Sequence, residues 1–204
     1  MNSLKNPEKG YIKFKCSWEE GEFEFDRKDL EELNYWREKM YAMNLIGAYP
    51  DGIGFGNISI RRTALPGFVI SGSATGHLPH LGIEHYSYVI SYSFKDNSLA
   101  CIGKVKASSE SLSHAAIYET AEKTNAVIHV HSRKYWNAWI SREPFTSVDV
   151  EYGTPAMARE IKRVIKQHHL NTRGLIIMGG HEEGIICFGQ DLQDAGSVIM
   201  DNLK

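Results

Sequence analysis

Only three cysteines, Cys16, Cys101 and Cys187, occur in 204 residues, and no two of them form a CxxC pair. That spacing gives neither a zinc ribbon nor a disulfide framework. Long apolar runs are missing too. The longest purely aliphatic stretch is Leu175-Ile176-Ile177-Met178, against the roughly 20 residues that span a bilayer. Met1 to Lys15 carries charges and a proline where a signal peptide needs an apolar core. No basic stretch exceeds Arg61-Arg62, and 23 Lys and Arg against 25 Asp and Glu leave a net charge of −2. The electrostatic footprint of a general nucleic-acid binder is therefore missing. Repeats, linkers and low-complexity segments are absent as well. The expectation is a soluble protein of a reducing cytosol, with neither a membrane nor a nucleic acid as partner.

What is present is an ordinary globular balance of 42% hydrophobic and 24% charged residues. A chain of this length buries roughly 70% of its unfolded surface, so residues 1–204 are expected to form a single domain without staples. Asp26 can cap a helix reaching Met43, with Leu30, Leu33, Met40 and Tyr41 on one side. A glycine-rich turn at residues 51–56 leads into a strand at Asn57-Ile58-Ser59-Ile60, and Phe68-Val69-Ile70 reads as the next strand. Tyr86, Tyr88, Ile90 and Tyr92 keep the period of two of a half-buried strand. Its expected hairpin partner is Cys101 to Val105, across a turn at Asp96-Asn97. Ser109 and Ser111 are candidate caps for a helix carrying Leu112, Ala115 and Ala116. Ala126 to His131 is a strand, and Thr154-Pro155 starts a helix running to His168. Leu175 to Met178 and Gly184 to Phe188 form two short strands around a Gly-Gly-His turn, and Asp191 caps a last helix. Strands and helices mixed in this way predict a sheet layered with helices.

The chemistry-bearing residues gather around His129-Val130-His131. Side chains at i and i+2 of a strand share a face, so both imidazoles can reach one ion, and neutral imidazole is a common zinc donor. An isolated HxH is more often a pair of surface polar residues. Glu110, at a helix start where the dipole favours a carboxylate, and His181, held in a tight turn, would complete a tetrahedral set. Read singly, the first is a helix-terminal acid and the second a turn residue. His114, four residues after Glu110, reads first as a structural histidine. Asn57, Ser73, Thr75, Gly76, Ser108 and Ser109 fall where strands end or helices begin, and such junctions offer free N–H and hydroxyl donors to a phosphate. Turn chemistry alone accounts for any one of them.

Taken together, Gly56-Asn57-Ile58-Ser59, Thr75-Gly76, Ser108-Ser109-Glu110, His129-Val130-His131 and His181 before Gly184 resemble, in order, the motifs of the class II aldolase/adducin family. The resemblance implies a three-layer αβα fold around a largely antiparallel sheet. It implies a homotetramer with active sites at subunit interfaces, and Zn2+ or another divalent metal held by His129, His131 and His181. Glu110 would be the fourth ligand of the resting site and the acid/base once a substrate displaces it. Asn57, Thr75, Gly76, Ser108 and Ser109 match the positions that would hold the substrate phosphate, and Ser73 is counted with them by its place in the same small-residue loop. The implied reaction is aldolase-type cleavage or formation of a C–C bond in a small hydroxy-carbonyl compound through an enediolate.

The family's epimerases carry Asp at the position of Glu110, so the glutamate favours the aldolase and dehydratase branches. A dehydratase or epimerase, or a non-catalytic adducin-like assembly module, are the competing readings. The chain also departs from the pattern. It is short between His131 and Tyr152, where no tyrosine matches the family's, and no C-terminal catalytic tyrosine is matched before Lys204. Glu182-Glu183 stands where a glycine usually follows the histidine, and the loop from Ser71 to Gly76 is longer than the family's. The proton donor is thus unassigned. Tyr152 is placed to approach the site, with no role assigned.

Overall fold

The computed structural model describes residues 14–62, 66–142 and 144–203; the reading of the first residues as lacking a signal peptide falls largely outside them. In chain order the elements are β1 (Lys15–Glu20), α1 (Arg27–Ala42), β2 (Gly47–Ala48), β3 (Gly54–Phe55), β4 (Asn57–Ile60), β5 (Phe68–Ser71), β6 (Tyr86–Ser93), β7 (Ser98–Gly103) and α2 (Ser111–Thr120). They continue with β8 (Ala126–His131), α3 (Arg133–Trp139), α4 (Pro155–Gln167), β9 (Gly174–Ile177), β10 (Gly184–Gly189) and α5 (Leu192–Asn202). Eight strands form one sheet in the order β1-β7-β6-β5-β4-β8-β10-β9. Its pairings are antiparallel except for β1 with β7, which is parallel.

Strand periodicity divides the apolar residues into two cores. Ile128 and Val130 of β8 join Ile185 and Cys187 of β10 under α1 and α5, where Leu33, Trp36, Met40, Ala195 and Ile199 pack. Val127, Ile186 and Phe188 face the other way, beneath Ala115 and Ile117 of α2 and Met157, Ile161 and Val164 of α4. The result is the expected three-layer αβα arrangement. His129 and His131 share parity with Val127, so β8 directs them to the α2/α4 face. Among the described residues, no helix is long and apolar enough to cross a membrane.

Helix starts follow the sequence in three cases. Asp26, Thr154 and Asp191 each accept a backbone N–H of the first turn of α1, α4 and α5. At α2 the expectation fails: Glu110, not Ser109 or Ser111, is the N-cap, and its side chain makes no capping bond. The turn is closed one step earlier. Ser108 Oγ accepts from Glu110 N at 3.3 Å, and Ser111 Oγ donates back to Ser108 O at 2.6 Å. The Glu110 carboxyl is thereby left out of the cap.

Two strand expectations are corrected. In β6 a bulge between Val89 and Ser91 breaks the period of two, so Val89 is buried while Ile90 is 45% exposed. Its partner runs from Ser98 to Gly103 rather than from Cys101 to Val105, because the hairpin closes early. Ser93 Oγ donates to Asp96 Oδ2, and Asn97 takes a positive φ of 48°. Strand β1 and helix α3 had no clear sequence signal. The first pairs with a single neighbour, and the second buries no residue fully, though Tyr135, Trp136 and Trp139 rest on the α1/α5 core.

Arg37 ties α1 to the loop that follows β5. It is 1% exposed, and its two terminal nitrogens donate to the carbonyls of Thr75, Gly76, Leu78 and Pro79. One side chain thus satisfies four acceptors of a segment without secondary structure of its own. That loop forms part of the wall of the site.

Candidate metal centre

The terminal positions of the two ladders of β8 bring His129 opposite Asn57 of β4 and His131 opposite Gly184 of β10. His181 enters from the turn between β9 and β10, closed by His181 N donating to Met178 O at 3.1 Å. Its ring lies over Gly184, where any Cβ would collide with it, so the glycine is what lets the third histidine reach the strand. His131 Nε2 lies 3.1 Å from His129 Nε2 and 3.0 Å from His181 Nε2. Ligand atoms of these three residues all fall within 4.8 Å of one another.

Burial keeps the imidazoles neutral. Desolvation, followed by the neighbouring ring, holds His131 and His181 down to about 3, and His129 well below its ordinary value. His129 Nδ1 faces the carbonyl of Ile185 at 3.2 Å. A carbonyl only accepts, so Nδ1 carries the proton and Nε2 offers its lone pair to the cluster. Tetrahedral zinc with Zn–N bonds of about 2.0–2.1 Å would set its donors roughly 3.3 Å apart, close to the two distances that His131 Nε2 makes. The donor set fits a divalent ion.

These histidines open onto a cavity of about 510 Å³, which Asn57, Ser73, Gly76, Ser108, Ser109 and Glu110 also line. Thr75 is the exception among the expected residues: it is buried, and its hydroxyl donates to Gly72 O at 2.8 Å within its own loop. Asn57 Nδ2 donates to Ser108 Oγ at 3.1 Å, while Asn57 Oδ1 is buried with no partner.

Glu110 is 5% exposed. Oε2 accepts from Ser113 Oγ at 3.0 Å, and Oε1 is buried and unpartnered. Desolvation raises its carboxyl to about 7, against the smaller opposing pull of the Ser113 hydroxyl. Its oxygens do not belong to the 4.8 Å group formed by the histidines. Glu110 is thus a buried carboxyl on the cavity wall, outside the histidine group. His114 lies outside the metal group too. Its Nδ1 bonds Ser59 Oγ at 2.7 Å, which also meets Tyr118 Oη at 2.7 Å, while its Nε2 is buried without a partner.

Four residues escaped the sequence reading or entered it without a role. Phe55 stacks on His131 with ring centroids 5.4 Å apart, Tyr152 lies against the His181 ring at 3.9 Å between centroids, Tyr49 Oη meets His131 Nδ1, and Glu183 accepts from Tyr49. Tyr49 precedes the glycine turn and Phe55 sits within it, Tyr152 precedes the cap Thr154, and Glu183 marks a departure from the family pattern. Those were the only signals.

The family model described as "Class II Aldolase and Adducin N-terminal domain" matches residues 50–200. No curated protein matches the sequence significantly. Among solved structures, an L-fuculose 1-phosphate aldolase aligns with a TM-score of 0.64 at 18% identity, covering 88% of this chain and 82% of its own. A sugar-phosphate aldolase from Thermotoga maritima aligns with a TM-score of 0.64 at 12% identity, covering 86% and 90%. An aldolase II superfamily protein from Pseudomonas syringae gives 0.57 at 14%, covering 88% and 73%. At such identities the structural likeness carries the fold alone, and the family rests on the model that spans most of the chain. The chain belongs to the class II aldolase/adducin family.

Proposed function

We propose that this chain is a metal-dependent lyase of the aldolase type, acting on a small hydroxy-carbonyl compound such as a sugar phosphate. The observation that carries the reading is a single cavity in which three neutral, converging imidazoles meet a buried carboxyl that exchanges its proton near neutrality. His129, His131 and His181 would hold zinc or another divalent ion through Nε2, and such an ion supplies a Lewis acid for adjacent carbonyl and hydroxyl oxygens.

The rest is the work of the side chains. Glu110, with a free Oε1 and a pKa near 7, can take a proton from a substrate hydroxyl and return it to carbon. Asn57 Oδ1, buried without a partner, suits a substrate hydroxyl donor. Ser73, Ser108, Ser109 and the backbone at Gly76 offer neutral donors for an anionic end. Among the described residues no lysine or arginine lines the cavity, so the anion would be held by hydroxyl and amide dipoles. Tyr152, on the wall beside His181, is the residue on hand for the proton donor that the family pattern left unmatched. The resemblance further favours a cytoplasmic homotetramer.

The test is metal analysis of the purified chain followed by a substrate panel with product analysis. One metal per chain and two-fragment products, lost in Glu110→Ala, support the aldolase. One product retaining every carbon would move the assignment to a dehydratase or epimerase with the same site. A metal-free chain that binds only another protein would replace the enzyme by an assembly module.

A further inference from the structure

His131 is held from behind by a chain of polar side chains. Its Nδ1 lies 2.9 Å from Tyr49 Oη, and that hydroxyl donates to Glu183 Oε2 at 2.7 Å. Glu183 Oε1 in turn accepts from Arg133 Nε at 2.8 Å, and Arg133 Nη1 reaches Glu182 at 2.8 Å. Proton counting fixes the direction of every bond. A carboxylate paired with a guanidinium only accepts. Tyr49 must therefore spend its one proton on Glu183. The phenol oxygen is left able to accept from His131 but not to donate to it, which puts the ring proton on Nδ1 and the lone pair on Nε2.

The backbone is arranged to the same end. Glu183 occupies the left-handed region at φ 74°, a conformation a non-glycine residue keeps only where its surroundings hold it there. Ser132 N donates to its carbonyl at 2.9 Å, which ties this turn to the end of β8. Phe55 packs against both rings, at 4.6 Å from Tyr49 and 5.4 Å from His131, and so limits the rotation of each. The Glu182-Glu183 pair, a departure from the family pattern, thereby acquires a use.

We infer that Tyr49 and Glu183, backed by Arg133, are positioning residues that lock His131 in the tautomer whose Nε2 faces the other two histidines. The relay rests on the proposed metal site and sets how tightly that site binds its ion. Partners behind a ligating histidine typically change metal affinity by about 10–100-fold when removed. Arg133 is largely exposed and its ion pairs are screened by water, so its own contribution is the smallest of the three.

The experiment uses metal-stripped full-length protein, titrated with Zn2+ against a competing chelator, together with 15N spectra of the histidine rings. Expected are one equivalent bound by the wild type and the Nδ1–H tautomer at His131. Tyr49→Phe, which keeps the ring and removes one oxygen, and Glu183→Ala should each weaken binding roughly 10–100-fold and redistribute the His131 tautomer. Arg133→Ala should shift both far less. A merely structural role would leave the tautomer where it was. If the wild type takes up zinc and both variants match it in affinity and tautomer, the relay is wrong and the metal site stands. If the wild type binds no zinc, both ideas fall together.

Discussion

His129 and His131 turn two unprotonated Nε2 atoms toward each other at 3.1 Å. The Ile185 carbonyl holds the proton of one ring on Nδ1, and Tyr49 holds that of the other. Two acceptors at hydrogen-bond distance with no proton between them repel, and a shared cation is what turns that contact into an attraction.

Loading zinc should therefore stabilise the fold. At a free-ion concentration 100 times its dissociation constant the gain is about 2.7 kcal/mol, or roughly 5–11 °C in Tm for a chain of this size. Differential scanning fluorimetry with and without chelator reads it directly. Identical melting curves would remove the metal centre.

Acid should unfold the metal-free protein early. His131 and His181 sit near 3 when folded and near 6.5 otherwise, so the folded state binds fewer protons than the unfolded one. Their stabilisation is complete above pH 6.5 and is lost as the pH falls toward 3. At pH 5 the loss is about 2 kcal/mol for each ring. Urea midpoints of Glu110→Gln, which removes the opposing titration of that carboxyl, measured at pH 5 and pH 7.5 give the difference, and a pH-independent midpoint in that variant contradicts the burial of these rings.

Glu110 acts in the opposite sense. Its carboxyl rests near 7 in the fold against an ordinary 4.5, so the folded state holds the proton longer and stability declines between pH 4.5 and 7. Glu110→Gln should match wild type at pH 4.5 and exceed it by about 3 kcal/mol at pH 8, at the expense of turnover. A variant less stable than wild type at pH 8 would show that the ionised carboxylate is welcomed in the fold.

Arg37→Met should loosen the wall of the cavity without touching its ligands. Four carbonyls between Thr75 and Pro79 lose their donor, and each buried unsatisfied group costs about 1–3 kcal/mol. Hydrogen exchange across residues 75–79 should quicken while one zinc per chain is still bound. Unchanged exchange in that loop would mean that water replaces the guanidinium at no cost.

Tyr152→Phe separates proton transfer from binding. If the hydroxyl is the donor, kcat should fall by about 10²–10⁴ with zinc affinity intact, because the ring keeps its place against His181. Equal loss in KM and none in kcat would make Tyr152 a binding residue.

Much of the site could be read from local pattern. The i, i+2 spacing put His129 and His131 on one face, and Gly179-Gly180 announced the turn that presents His181. The caps Asp26, Thr154 and Asp191 were visible because a cap is chemistry between residues two or three apart. The cap of α2 differs from the expectation because Ser109 and Ser111 offer equal local choices, and only the packed turn, closed by Ser108, puts Glu110 at the N-cap position. Thr75 looked like a phosphate donor by its company, but its own loop consumed its hydroxyl.

The amino-acid order by itself determined the alternation of strands and helices, the ladder that carries the two histidines of β8, and the family pattern. Those depend on neighbours a few residues apart. Only the folded chain decided that Tyr49 and Glu183, 134 positions apart, meet behind His131, that Glu110 keeps a buried, unpaired oxygen on the cavity wall, and that Gly184 makes room for a ring. Such facts arise from which surfaces are brought together when water is excluded, and no local periodicity encodes them.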